Sequence, residues 1–292
     1  MIARRKPKGA FALIDYLYDG TFEGLLTCIY HHYYTDRAAG VFPREEYQPS
    51  LLNGYLEVET EEEKAARVYD AIERKISGYA LRMVYRAFLS DAPGKETAIL
   101  RFVVLGFRTG PSIGSLHARE EVHALEDLVR KVGNEKERML QFVRFEVMEA
   151  AAGDLADEPE IVATRAAGAA PAARPGAQIL YAKIEPSCDV LALIAHHFAE
   201  RFRHDPLIIH DLGRSKAVFA YEGDWYIANF DGTHLPDGTA IARSEEERSY
   251  QDLWRTYFDH IAIKERTNPR CQKNHMPVRY WKHLTEMNGV RG

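Results

Sequence analysis

The sequence predicts an α+β protein with a mostly helical N-terminal half and an antiparallel sheet with covering helices in the C-terminal half. Three observations lead there. Apolar residues recur at helical spacing up to about residue 140, and period-two alternation then takes over in residues 142–147 and 179–184. Three short strand-like runs with tight turns follow, before one last amphipathic stretch.

The first element, residues 11–18, reads as a strand ending at the Asp19-Gly20 turn. Thr21 is placed to cap a helix that carries Phe22, Leu25, Leu26, Ile29 and Tyr33 on one face. Thr60 and Glu63 form a capping box for a second helix, whose apolar face is Ala65, Val68, Tyr69, Ile72 and Ile76. Further helical stretches are expected around residues 79–89, 96–105 and 118–132, with Gly133 as a stop. Residues 149–177 are alanine-rich, interrupted by Pro159, Pro171 and Pro175, and lack an apolar period. They read as a flexible insertion in a hairpin connection. Beyond the second strand, Ser187 is expected to cap a helix presenting Leu191, Ile194, Ala195, Phe198 and Phe202. Strands at 207–210, 217–221 and 225–229 come next, joined by turns at Gly213-Arg214 and Glu222-Gly223-Asp224. Ser244 and Glu247 form another capping box, opening a helix with a stripe of Tyr250, Leu253, Trp254, Tyr257, Phe258 and Ile261. This gives a helical subdomain at 1–140, an α+β subdomain at 141–263 with its insertion at 149–177, and a separate C-terminal segment at 264–292.

Composition narrows the function classes. The 292 residues are 28% charged and 46% hydrophobic, which excludes a wholly disordered chain. No run approaches the length of a membrane span, and no signal peptide follows the basic N-terminus, so a cytoplasmic protein is expected. Three scattered cysteines, Cys28, Cys188 and Cys271, make neither a zinc motif nor an iron–sulfur site. The net charge of −5 excludes a uniformly basic nucleic-acid coat but leaves room for a local patch.

That patch is the C-terminal segment. Residues 264–292 hold seven Lys and Arg against two acids, interleaved with Tyr280, Trp281, His275 and His283. Lys and Arg suit phosphates, and aromatic rings suit unpaired bases. Arg266, Arg270, Lys273, Arg279 and Lys282 are therefore the candidate phosphate contacts, and Tyr280 and Trp281 the candidate stacking rings. An equally weighted reading has Tyr280, Trp281 and Leu284 docking the segment on the core, with the charges merely solvated.

Other constellations are weaker. Gly94-Lys95-Glu96-Thr97 lacks both the earlier glycine and the Ser or Thr after lysine that a phosphate loop needs. The adjacent pairs His31-His32 and His196-His197 diverge by about 100° on a helix and suit no shared metal. Asp211 and Arg214, at a hairpin tip, bind an anion or pin the turn as a pair, and the pair is favoured. An enzyme reading would use His197, Glu185 and Asp211 for acid–base work with Arg214 holding a phosphate, provided all four converge in one pocket.

Several ordered motifs carry a family resemblance. Residues 18–26 (Tyr18-Asp19-Gly20-Thr21-Phe22-Glu23-Gly24-Leu25-Leu26), 130–135, 142–145, 180–186, 197–202 and 265–282 resemble an uncharacterised bacterial family described as DNA metabolism or DNA repair proteins. The likeness extends over roughly residues 13–148 and 178–287. It implies a partner, a radical S-adenosylmethionine protein, and a domain that also occurs fused to a uracil-DNA glycosylase-like domain. It implies no catalytic residues and no cofactor or metal on this chain, the iron–sulfur cluster and S-adenosylmethionine belonging to the partner. The expected function is an accessory in DNA repair or modification that binds single-stranded or distorted DNA, rather than a stand-alone enzyme. The rival readings are an interaction module for that partner without DNA contact, and an enzyme acting on a damaged base or nucleotide.

Overall fold

The computed structural model describes residues 4–5, 13–49, 53–150, 178–235, 240–261, 263–266 and 268–287. They belong to two compact units, Met1–Asn134 and Glu135–Gly292. The division falls a few residues before the boundary read from the sequence, and residues 264–292 lie within the second unit.

In the first unit, β1 (Arg4–Arg5), β2 (Ile14–Tyr18), β3 (Ala38–Pro43) and β4 (Gly54–Glu57) form a sheet in the order β1-β4-β2-β3. Strand β2 pairs in parallel with both β3 and β4. Of these, only β2 is legible in the sequence, because β4 is four residues long and Gly40 interrupts β3. Helix α1 (Phe22–Tyr34) supplies the crossover from β2 to β3 that a parallel pair requires. Its start follows from local chemistry: Gly20 turns at φ +82° and Thr21 Oγ1 accepts from the Gly24 amide at 3.0 Å. Asp19 accepts from Thr21 and, at 2.7 Å, from the Thr60 hydroxyl. Thr60 is thereby drawn away from the cap expected of it, and α2 (Glu62–Lys75) starts after Glu61 without a side-chain cap. Helices α3 (Gly78–Phe88) and α4 (Lys95–Thr109) complete the core around Leu25, Ile29, Ile72, Val84, Ile99 and Val103. Each such aliphatic side chain contributes about 1.5–3 kcal/mol by leaving water.

Helix α5 runs from Glu120 to Phe142, straight through Gly133. The stop expected at that glycine is overridden because Val132 and Met139 on either side of it are buried. The strand expected at 142–147 accordingly begins later, as β5 (Glu146–Ala150).

The second unit carries a six-stranded sheet in the order β10-β5-β6-β7-β8-β9, with β6 (Gln178–Ile184), β7 (Leu207–Asp211), β8 (Lys216–Tyr221), β9 (Asp224–Asn229) and β10 (Ile241–Arg243). The class is α+β as expected, but the sheet is mixed rather than purely antiparallel. Strands β6 and β7 run parallel because α6 (Leu191–Arg201) separates them as a crossover. The β8–β9 hairpin turns at Glu222 and Gly223, both at positive φ (55° and 90°), as its two-residue loop demands. Of the alanine-rich stretch at 149–177, residues 149 and 150 belong to β5 and the rest lie outside the described residues.

Alternate strand residues face opposite ways. Tyr181, Ile208, Ala217 and Phe219 pack with Phe230 on one face, and α6 packs on β7, β8 and β9. Helices α7 (Glu245–Ile261) and α8 (Pro269–His275) and a 3₁₀ turn at Val278–His283 complete the unit. Among the described residues, no helix is long and apolar enough to cross a membrane.

Candidate functional site

The C-terminal segment divides into an exposed part and a buried part. The exposed part is α8, which Asn268 caps by accepting from the Cys271 amide at 3.0 Å, with Pro269 as its first helical residue, and whose Gln272 donates to Met287 Sδ at 3.8 Å. No residue of α8 is buried. Arg270 and Lys273 stand exposed on it, and Arg266 stands exposed in the preceding 3₁₀ turn Lys264–Arg266. Among the described residues, none of these three cations forms an ion pair.

The buried part follows Met276. Tyr280 and Trp281 are 3% and 7% exposed, so neither offers a ring face to a base, and the stacking role expected of them has no surface to act from. Trp281 donates its indole N–H to the Met276 carbonyl at 2.9 Å and packs with Leu284, Met287 and Phe142. Tyr280 donates to Glu135 Oε2 at 2.7 Å, and burial pushes its phenol up from the ordinary value. Arg279 donates to the same carboxylate at 2.6 Å and to the Tyr280 oxygen, with its guanidinium over the Tyr280 ring. Glu135 also accepts from the Ser187 amide at 2.9 Å and from its hydroxyl at 3.4 Å. Ser187 is thus not the cap expected of it, and α6 starts after Val190 without a side-chain cap. Lys282 pairs with Glu185 and holds that carboxyl below the usual range. His283 Nε2 lies 3.4 Å from Glu185, and burial pushes the imidazole down toward its neutral form. Arg279 and Lys282 therefore already have carboxylate partners, while Arg266, Arg270 and Lys273 have none among the described residues.

The acid–base candidates come together only in part. Arg214 bridges Asp211 Oδ2 at 2.9 Å, the Pro186 carbonyl at 3.1 Å and the Ser187 carbonyl at 2.5 Å. Its guanidinium pins the turn rather than standing open for a phosphate. Burial pushes the Asp211 carboxyl up, against the opposing pull of Arg214. His197 is exposed on α6, edge-on to Phe198, and among the described residues no hydrogen bond or ion pair links it to Glu185, Asp211 or Arg214. His210 is a core residue, bonded to Tyr181 Oη at 2.9 Å and packed against Phe230. Burial lowers the His210 pKa and pushes Tyr181 up to about 12. Among the described residues, no group of three His, Cys, Asp or Glu side chains is arranged to hold a metal ion.

Sequence reasoning misses the surface of α7. Its apolar stripe reads as a core face, yet Tyr250, Leu253, Trp254, Tyr257 and Ile261 are 44–65% exposed. The first four line a groove of about 590 Å³ together with Arg144, Phe145 and Thr285. Glu247, expected to close a capping box, instead accepts from the Val147 amide at 2.9 Å and fixes the start of α7 to β5. One sequence signal does point to an outward stripe, the acidity around it: α7 has five acids and two arginines.

A family model for DUF4130, a domain of unknown function, matches residues 93–286, about two-thirds of the chain. The chain belongs to the DUF4130 family. No curated protein and no solved structure matches it. The DUF4130 match takes in α4, α5 and the elements from β5 to the 3₁₀ turn at Val278–His283, and so includes both the exposed cations of α8 and the exposed stripe of α7.

Proposed function

We propose that this DUF4130 protein is a cytoplasmic accessory in DNA repair or DNA modification that binds single-stranded or distorted DNA and works with a radical S-adenosylmethionine partner carrying the cofactors. The observation that carries the nucleic-acid contact is the exposure of Arg266, Arg270 and Lys273, which lack carboxylate partners among the described residues while their neighbours Arg279 and Lys282 have them. Lys and Arg without such partners are what a phosphate backbone recruits, with release of its counterions. The partner and the DNA context come from the family resemblance of the sequence motifs.

Titrating fluorescent single-stranded and duplex DNA at two salt concentrations tests the contact. Arg270→Ala with Lys273→Ala is expected to weaken single-strand binding and to lower the salt slope by about 0.7 for each phosphate no longer neutralised. Unchanged affinity and slope would remove α8 from the reading.

A second reading is favoured by α7. Its exposed rings sit among Glu245, Glu246, Asp252 and Asp259, which repel phosphates, so the stripe suits a protein surface better than a base. In this reading the chain is an interaction module for the same partner, bound through the groove beside α7. Copurification with the partner that Leu253→Asp abolishes, in a protein without DNA affinity, would establish this reading over the first.

A further inference from the structure

The first unit contains an open cavity of about 530 Å³, within the size range of small-ligand sites. It lies against β3, the link that follows it and the first turn of α4, and Asp15, Phe42, Glu46, Tyr47, Glu96 and Arg101 line it. Glu96 is 3% exposed, yet it lines the cavity. Among the described residues, Tyr18 Oη donates to it at 3.2 Å, and its own backbone amide donates as well. Lys95 does not compensate: its ammonium, 3.9 Å from Glu96, donates to the Phe88 and Ser90 carbonyls at 2.7 and 2.8 Å. A carboxylate has about four acceptor positions, and buried polar groups ordinarily find partners. With Tyr18 and its own amide donating, Glu96 still has acceptor positions left for an occupant of the cavity.

The remaining walls say what would fill them. Asp15 is buried and held by Tyr47 Oη at 3.1 Å and the Asn53 amide at 3.1 Å. Phe42 and Tyr47 form an aromatic wall with ring centroids 5.4 Å apart. Three carboxyls, those of Asp15, Glu46 and Glu96, share the lining with one guanidinium, that of Arg101. That balance disfavours an anion even though the N-terminus of α4 is close by. Burial also pushes the Glu96 carboxyl up, so it keeps a proton to higher pH than an exposed glutamate would. The occupant that fits is flat, aromatic and rich in N–H donors.

We propose that this cavity binds a nucleobase bearing an exocyclic amine, with its ring against Phe42 and Tyr47 and its N–H groups on Glu96 and Glu46. The cavity would have this role whether or not α8 touches DNA. The amine-bearing base is either a free nucleoside or an unpaired base within a strand.

Calorimetric titration of the full chain with adenosine, cytidine, uridine and inorganic phosphate tests it, followed by short oligo(dA) and oligo(dT). Adenosine and cytidine are expected to bind, uridine about tenfold more weakly and phosphate not at all. Glu96→Met, which keeps the length of the side chain and removes its acceptors, is expected to weaken adenosine about tenfold and leave uridine unchanged. Since Glu96 is buried, Glu46→Ala at the exposed rim is the second variant, with the same direction of effect. Oligo(dA) binding more tightly than adenosine assigns a base within a strand, and the reverse order assigns the free nucleoside. The double substitution Arg270→Ala and Lys273→Ala is expected to leave adenosine binding unchanged, which keeps the two readings separable. Equal binding of adenosine and uridine, phosphate binding, adenosine affinity untouched by both carboxyl substitutions, or no nucleoside binding at all would overturn the proposal.

Discussion

Helix α7 and the stretch from Met276 to Met287 both present tyrosine, tryptophan or aliphatic side chains within the second unit, and they dispose of them in opposite ways. On α7 Tyr250, Trp254 and Tyr257 are 44–63% exposed, in a regular helical stripe. In the later stretch Tyr280, Trp281, Leu284 and Met287 are buried, although the stretch has a proline and only a 3₁₀ turn. Periodicity tells which side chains share a face; it does not tell what the face meets. What holds the irregular stretch in place is specific polar pairing at Glu135, Glu185 and the Met276 carbonyl. The anchors of α7 are Glu247 to the Val147 amide, Arg255 to the Thr285 carbonyl at 3.2 Å and, from the stripe itself, the Trp254 indole N–H to Glu286, which holds one edge of one ring and leaves the rest of the stripe open.

Trp281 is where this contrast should show most strongly. Trp281→Ala should cost about 3–5 kcal/mol in urea unfolding, as buried aromatic deletions do. A loss below about 1 kcal/mol would mean that the buried stretch is not part of the folded core. Next comes Glu135→Ala, which removes the acceptor shared by the Tyr280 hydroxyl, the Ser187 amide and Arg279. About 3 kcal/mol is expected, at the low end for a broken buried pair because Arg279 is partly exposed.

Glu286 joins the two regions, accepting from Arg144 at 2.7 Å and from the Trp254 indole at 3.2 Å. Burial acts to raise its pKa, but these bonds and its own amide win and hold it below the ordinary 4.5. Its contribution is therefore full above that value and is lost as the pH falls through the folded-state value. Glu286→Gln should cost on the order of 1 kcal/mol at pH 7, and the gap to the unaltered protein should close as the pH falls below the ordinary glutamate range. A gap that stays constant with pH would show that the carboxylate charge is not what joins them.

The stripe itself should respond least. Tyr257→Ser should change stability by no more than about 1 kcal/mol, since the residue is already 54% exposed. A loss as large as that at Trp281 would place the stripe in a core after all.

Legibility depends on how far apart the partners are. The start of α1, the β8–β9 hairpin and the Asp211–Arg214 pair rest on residues within a few positions of each other, and their sequence readings match the structure. The caps read at Thr60, Ser187 and Glu247 fail for a common reason. Each group is claimed by a partner far along the chain: Asp19, Glu135 and Val147. In the candidate site, the surplus of positive charge is visible in the sequence. The sorting of that surplus is not, because Arg279 meets Glu135 across 144 residues.

Local periodicity, turn chemistry and composition are enough for the α+β class, most of the helices, the hairpins and the position of the basic segment. Three other things emerge once the chain is folded: which cations lack a carboxylate partner among the described residues, which aromatic face stays largely exposed, and that the buried Glu96 lines a cavity. Those depend on the desolvation and pairing of groups brought together from distant parts of the chain, and local sequence does not encode the distance between them.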